Sequence, residues 1–145
     1  MYKLFTLIFV MITTSVFAEE PQTITIEMLN KRDDGAKMVY SEDITRVNVG
    51  DTITWVPTSK GHNVQFITVP EGVEKIKSKN NKEVSFTFEE EGVYLYVCTP
   101  HTSMGMMALV VVGDSLENLE DIKKSKMRGK SKKKLKKLIE DLTNQ

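Results

Sequence analysis

Between residues 22 and 112 the chain is cut into short runs rich in valine, isoleucine, threonine and aromatics, and this punctuation limits its fold more than any other feature. The runs are Thr23 to Met28, Ile44 to Val49, Thr52 to Val56, Asn63 to Val69, Val84 to Phe88, Val93 to Cys98 and Met107 to Val112. Between them stand Gly50-Asp51, Pro57, Lys60-Gly61, Pro70-Glu71-Gly72, Asn80-Asn81 and Glu91-Gly92, which turn a chain through the φ angles they permit or fix. Several short strands at this spacing predict a β-sandwich or barrel. Val84, Phe86 and Phe88 alternate with Ser85 and Thr87, the period of two that sets one face against a core, so the aromatics are read as core.

After Gly113 the period changes. Asp114 and Glu117 have the spacing of a capping box, and Leu116, Leu119 and Ile122 recur at threes. Gly129 and Ser131 interrupt the pattern, and Leu135, Leu138, Ile139 and Leu142 then form one apolar stripe with lysines on the other faces. The expectation is an all-β domain over 22–112 with a helical extension over 114–143, two short helices packing their stripes on the sheets. The tail alone has too little apolar surface to fold by itself, so residues 19–145 read as one domain.

The first eighteen residues read as a signal peptide cleaved after Ala18. Lys3 is a short positive region, Leu4 to Ile12 is apolar apart from Thr6, and Val16-Phe17-Ala18 offers a cleavage site. The apolar stretch is too short to span a bilayer, so an exported protein without membrane insertion is expected. Cys98 is then informative, because a single cysteine permits no internal disulfide. A free thiol in an oxidising compartment is a liability unless it is buried or bound.

The zero net charge hides an asymmetry. Residues 19–121 hold 9 basic and 18 acidic side chains, whereas 122–145 hold 10 basic and 2 acidic. Such a basic run can serve nucleic acid or anionic lipid. An exported protein rarely meets nucleic acid, so the run is read as a solvated helical face lying against an acidic body.

The chemistry rests on few residues. The only two histidines, His62 and His101, sit in loop contexts beside strand ends, and His101 stands three residues after Cys98. Met106 follows, completing C-x2-H-x4-M just after a strand, with His62 on an earlier loop. Thiolate and thioether are soft donors that suit copper, and two imidazoles with a thiolate and a weak axial methionine form the blue-copper arrangement. Structural zinc takes four nitrogen or thiolate ligands, and a thioether is a poor substitute. His62, Cys98, His101 and Met106 are therefore the expected ligands, with Met106 preferred to Met104 because the loop can turn back over the metal at Gly105. Four protein ligands leave no open position for substrate, which points to electron transfer and not to an enzyme. A copper delivery or storage protein is the alternative, faintly suggested by Met104, Met106 and Met107, but delivery needs labile coordination. A redox enzyme domain would need a second metal site or an open position, and two histidines hardly allow one.

The segments Met28-Leu-Asn-Lys31, Gly50-Asp-Thr-Ile-Thr-Trp55, Lys60-Gly-His-Asn-Val64, Lys77-Ser-Lys79, Gly92-Val-Tyr-Leu95, Cys98-Thr-Pro-His101, Met104-Gly-Met106 and Val112-Gly-Asp114, with Phe66, resemble the pseudoazurins. The resemblance covers essentially the whole mature chain. It implies a cupredoxin-like Greek-key sandwich of about eight strands with two C-terminal helices, and one type 1 copper on the four residues named. It also implies a periplasmic home and the shuttling of single electrons to or from nitrite reductase or another reductase, and nothing in the sequence demands more than a monomer. Asn63 resembles the residue whose backbone N–H faces the thiolate and whose side chain ties the two ligand loops, and Pro100 denies the sulfur a further donor. Lys31, Lys60, Lys77 and Lys79 are expected to ring the His101 edge, with Met104 in an apolar contact patch. Val97 and Thr102 depart from the pattern, where lysine and an aromatic are common. Both are expected near the docking surface.

Overall fold

The computed structural model describes residues 19–144, so the expected signal peptide lies outside the described residues. Eight strands form two four-stranded sheets: β1 (Thr23–Lys31), β2 (Lys37–Tyr40), β3 (Ile44–Val47), β4 (Thr52–Val56), β5 (Gln65–Thr68), β6 (Val84–Thr87), β7 (Gly92–Val97) and β8 (Met107–Val112). The first sheet runs β2-β1-β4-β6 and the second β3-β8-β7-β5. Only β1–β2 and β7–β8 are sequential neighbours within a sheet, and the chain changes sheets at each connection from β2 to β7. The parallel pairs β1–β4 and β3–β8 follow from those crossings.

The two sheets differ in what they bury. The first shows water an outer face of hydroxyls, where Thr52 pairs with Thr87 and Thr54 with Ser85, each at 2.8 Å. Its inner face meets the second sheet across a core that includes Ile26, Met28, Ile53, Trp55, Phe66 and Tyr96. Trp55 sits edge-on to Phe66, Phe88 and Tyr96, at centroid separations of 6.0, 6.4 and 5.3 Å. The second sheet is covered on both faces. Tyr94, Tyr96 and Val110 point into the sandwich, while Val93, Leu95, Leu109 and Val111 point into a second core under the helices. Burial on both sides explains why β7 and β8 read as continuous apolar runs with no polar alternation.

Helices α1 (Leu119–Lys123) and α2 (Lys130–Thr143) supply that cover, through Leu119, Ile122, Leu135, Leu138 and Leu142. No helix among the described residues is long and apolar enough to cross a membrane.

Two local expectations are corrected. The four-residue β2 is absent from the sequence reading, because Lys37-Met-Val-Tyr40 is too short to show a period and Met38 adopts φ 51°. Asp114 and Glu117 form no capping box, because α1 starts later, with Asn118 at its N-cap and no side-chain cap. Asn118 instead accepts from the Val93 N–H and donates to the Val93 carbonyl, pinning the helix entry to β7. The basic run forms a solvated face on a helix packed against the body: Lys134 reaches Asp43 at 2.6 Å, Lys136 and Lys137 pair with Glu140 and Asp141 of α2, and Lys123 and Lys124 pair with Glu120 and Asp121.

Candidate metal centre

Strand β7 aims the thiol. Alternation sends Tyr94, Tyr96 and Cys98 into the sandwich core and Val93, Leu95 and Val97 toward the helices. Val97 is thus only 2% exposed and belongs to the apolar cluster under the two helices, not to a docking surface.

After Cys98 the chain makes a short 3-10 turn, Thr99–Met104, which Pro100 opens with its fixed φ. The turn is closed by a backbone circuit. His101 N–H donates to Cys98 O at 3.1 Å, Met106 N–H to His101 O at 3.2 Å, and Cys98 N–H to Met106 O at 3.0 Å. Gly105, at φ 99°, provides the left-handed step that lets the chain double back. Met106 ends fully buried and Met104 46% exposed.

Helix α2 braces this loop from below. The buried Ser131 hydroxyl donates to the Thr102 carbonyl, and the Thr102 hydroxyl donates to Cys98 O at 2.9 Å. Gly129 has φ 55° and lies directly on the Ser103 carbonyl, leaving no room for a Cβ.

His62 comes from the loop after β4 and is fully buried, while His101 is half-buried. The two Nδ1 atoms lie 3.1 Å apart, and Cys98 Sγ is 3.6 Å from His62 Nδ1 and 3.4 Å from His101 Nδ1. A point equidistant from these three atoms lies about 2.0 Å from each, close to a transition-metal–imidazole bond length of about 2.0–2.1 Å. Two imidazole nitrogens and one sulfur converging at that distance fit a copper ion.

The surroundings fix the donors. His62 Nε2 meets Asn30 Oδ1 at 2.8 Å. An amide oxygen can only accept, so Nε2 carries the proton and Nδ1 presents its lone pair toward Cys98 and His101. Burial, and then the neighbouring His101, pulls the His62 pKa down and favours that neutral ring. Burial pushes the Cys98 thiol up, against backbone N–H groups of Asn63 and His101 that stabilise the thiolate. A bound metal would deprotonate it outright. Asn63 links the two ligand loops: its Oδ1 accepts from Thr99 N–H at 2.8 Å, and its Nδ2 donates to Thr99 Oγ1 at 3.1 Å.

The four lysines singled out in the sequence are exposed, and none forms an ion pair among the described residues. Lys31 follows Asn30, and Lys60 lies two residues before His62. Lys77 and Lys79 flank Ser78, which accepts from Asn63 Nδ2 and from Val64 N–H. Sequence reasoning missed Asn30, Gly129 and Ser131. Only the Met28-Leu-Asn-Lys31 segment carried a hint, since all three act across the fold.

A two-sheet sandwich holding two histidines and one cysteine around a single metal position defines a mononuclear copper protein of the blue, electron-transferring class. Comparison with known proteins gives the same result. The family model for copper binding proteins of the plastocyanin/azurin family matches residues 26–113. A pseudoazurin of Paracoccus pantotrophus is 46% identical over 115 residues, covering 78% of this chain and 79% of that protein. The crystal structure of pseudoazurin from Hyphomicrobium denitrificans superposes with TM-score 0.77 at 42% identity, covering 82% of this chain and 97% of that one. Pseudoazurin from Methylobacterium extorquens gives TM-score 0.77 at 38% identity, with 83% and 98% covered. The chain belongs to the plastocyanin/azurin family of copper-binding proteins and, within it, to the pseudoazurins.

Proposed function

We propose that the chain is an exported, monomeric carrier that passes single electrons to or from a periplasmic reductase, nitrite reductase being the foremost candidate. His62, Cys98, His101 and Met106 hold one type 1 copper. The observation that carries this reading is the triangle of His62 Nδ1, His101 Nδ1 and Cys98 Sγ, whose donors stand within 3.6 Å of one another.

Copper, when bound, supplies the one-electron couple. The chain's own residues fix the donors, so little has to move on reduction: Asn30 orients His62, Asn63 ties the two loops, and Ser131 and Gly129 brace the turn from below. Burial of His62, Cys98 and Met106 excludes solvent, and the half-buried His101 is the edge through which an electron enters or leaves. Exposed Met104 and Pro100 give that edge an apolar patch, and Lys31, Lys60, Lys77 and Lys79 surround it with positive charge. Such buried and doubly braced donors disfavour the labile coordination that a copper delivery protein would need.

The oxidised, copper-loaded protein is expected to show an intense thiolate-to-Cu(II) charge-transfer band. The reduced protein is expected to sustain turnover of a copper nitrite reductase as sole donor. A weak or missing band would overturn the ligand set, and a normal band without turnover would overturn the partner alone.

A further inference from the structure

We propose that the cleft between α1 and α2 is a second docking site, shaped for an acidic segment of a protein partner that carries an apolar side chain. The cleft measures about 910 Å³. Its lining holds six lysines, Lys123, Lys124, Lys126, Lys132, Lys133 and Lys136, against one acid, Glu140, with Met127, Leu135 and Ile139 as its apolar part. Gly129 closes one end, against Ser103, so the cleft opens beside the metal loop without including His101.

The charges are arranged at the helix's own expense. The first turn of α2 contains lysines and no acid, although the positive end of the helix dipole lies there. Its acids, Glu140 and Asp141, stand near the C-terminus, where they are equally misplaced. Lys132 and Lys136, four residues apart, repel each other, as do Lys133 and Lys137. Glu140 and Asp141 offset part of this at Lys136 and Lys137, but Lys126, Lys132 and Lys133 have no ion-pair partner among the described residues, and an external anion would supply one.

Shape selects the kind of anion. A lipid surface is flat and would meet the lysines without entering the cleft to its apolar residues. A peptide can place carboxylates on the lysines and one aliphatic side chain on Met127 and Ile139. A second copy of this chain fits poorly. Its densest acidic run, Glu89-Glu90-Glu91, follows the buried Phe88 and contains no apolar side chain, the exposed Val49 nearby standing on a separate turn held to Phe88 through Gly50. The site is independent of the electron-carrier reading, since no metal ligand lines it.

The test uses the full mature chain, copper-loaded, with a fluorescent synthetic peptide of glutamates interrupted by leucines, at low ionic strength. Binding is expected to weaken about tenfold or more in a Lys132→Gln, Lys133→Gln double variant. It should also weaken when the peptide's leucines become serine, and as salt shortens the Debye length. The double variant should melt at the same or a higher temperature than the parent, which separates lost binding from lost folding. Lys37→Gln with Lys82→Gln, exposed lysines outside the cleft, should leave peptide binding unchanged. Equal binding by the double variant, or equal binding of the serine peptide, would overturn the proposal. So would phosphatidylglycerol vesicles binding through Lys132 and Lys133 while the peptide does not, or self-association that the double variant abolishes.

Discussion

Asn30 decides which nitrogen of His62 is free, from the last turn-ward residues of a strand that begins at the opposite end of the sandwich. Asn30→Ala should leave Nε2 without its acceptor, let the ring tilt, and weaken Cu(I) binding about 10- to 100-fold in a chelator competition, the usual scale for such outer contacts. Met106→Leu should raise the reduction potential and alter the Cu(II) spectrum, because a buried donor is lost, whereas Met104→Leu, on an exposed side chain, should change neither. Voltammetry and absorption of the two variants decide it, and the opposite pattern would reassign the axial ligand. The converging His62, Cys98 and His101 were legible because three of the four proposed donors share one nine-residue loop and the chain has only two histidines. Asn30 was not, because its role depends on the parallel pairing of β1 with β4 that brings it beside the loop carrying His62. Val97 was misplaced for a related reason: proximity to Cys98 in sequence says nothing about which sheet face a neighbour takes, and alternation sends it the other way.

Besides the Ser131 bond to the metal loop, helix α2 joins the body through an apolar stripe along its length and an ionic anchor at Asp43. Arg32 lies 3.1 Å from Asp43 and Lys134 2.6 Å. Burial raises the Asp43 pKa, but Arg32 and Lys134 outweigh it, and the net shift is downward. A carboxyl with a depressed folded pKa contributes stability that is fully present above its unfolded value of about 3.9 and lost as pH falls through the folded one. Acid below about pH 4 should therefore loosen α2, and Asp43→Asn should remove that part of the acid sensitivity. With the group half-exposed, the loss at neutral pH should be about 1 kcal/mol or less by denaturant titration. The helix stripe was legible from its spacing. The anchor was not, since Asp43 and Lys134 are far apart in sequence and a lysine run gives no sign of which member turns inward. Strand β2 escaped notice for want of length, and the cap of α1 because Asn118 serves the backbone of β7 instead of its own helix.

For the whole molecule, on the proposed docking, Lys31, Lys60, Lys77 and Lys79 present positive charge at the metal end, while acids such as Glu89, Glu90 and Glu91 lie just before β7, at its end away from Cys98. An acidic partner would then be drawn to the correct pole before contact. Reversing Lys31 and Lys60 to Glu should slow second-order electron transfer and flatten its dependence on salt, with the copper spectrum intact; stopped-flow measurements over a salt series would show it. The doubly covered second sheet has a further consequence. Amide protons of β7 and β8 are shielded on both faces, so they should exchange with deuterium only when the entire chain opens. Those of the turn Thr99–Met104 should exchange through a small local opening, since that turn rests on one side against α2 and faces water on the other. In metal-free protein the turn should exchange faster through its own local opening, while β7 and β8 should speed up only by the global stabilisation the bound ion had supplied, so the chain can lose and regain its ion through the turn without unfolding.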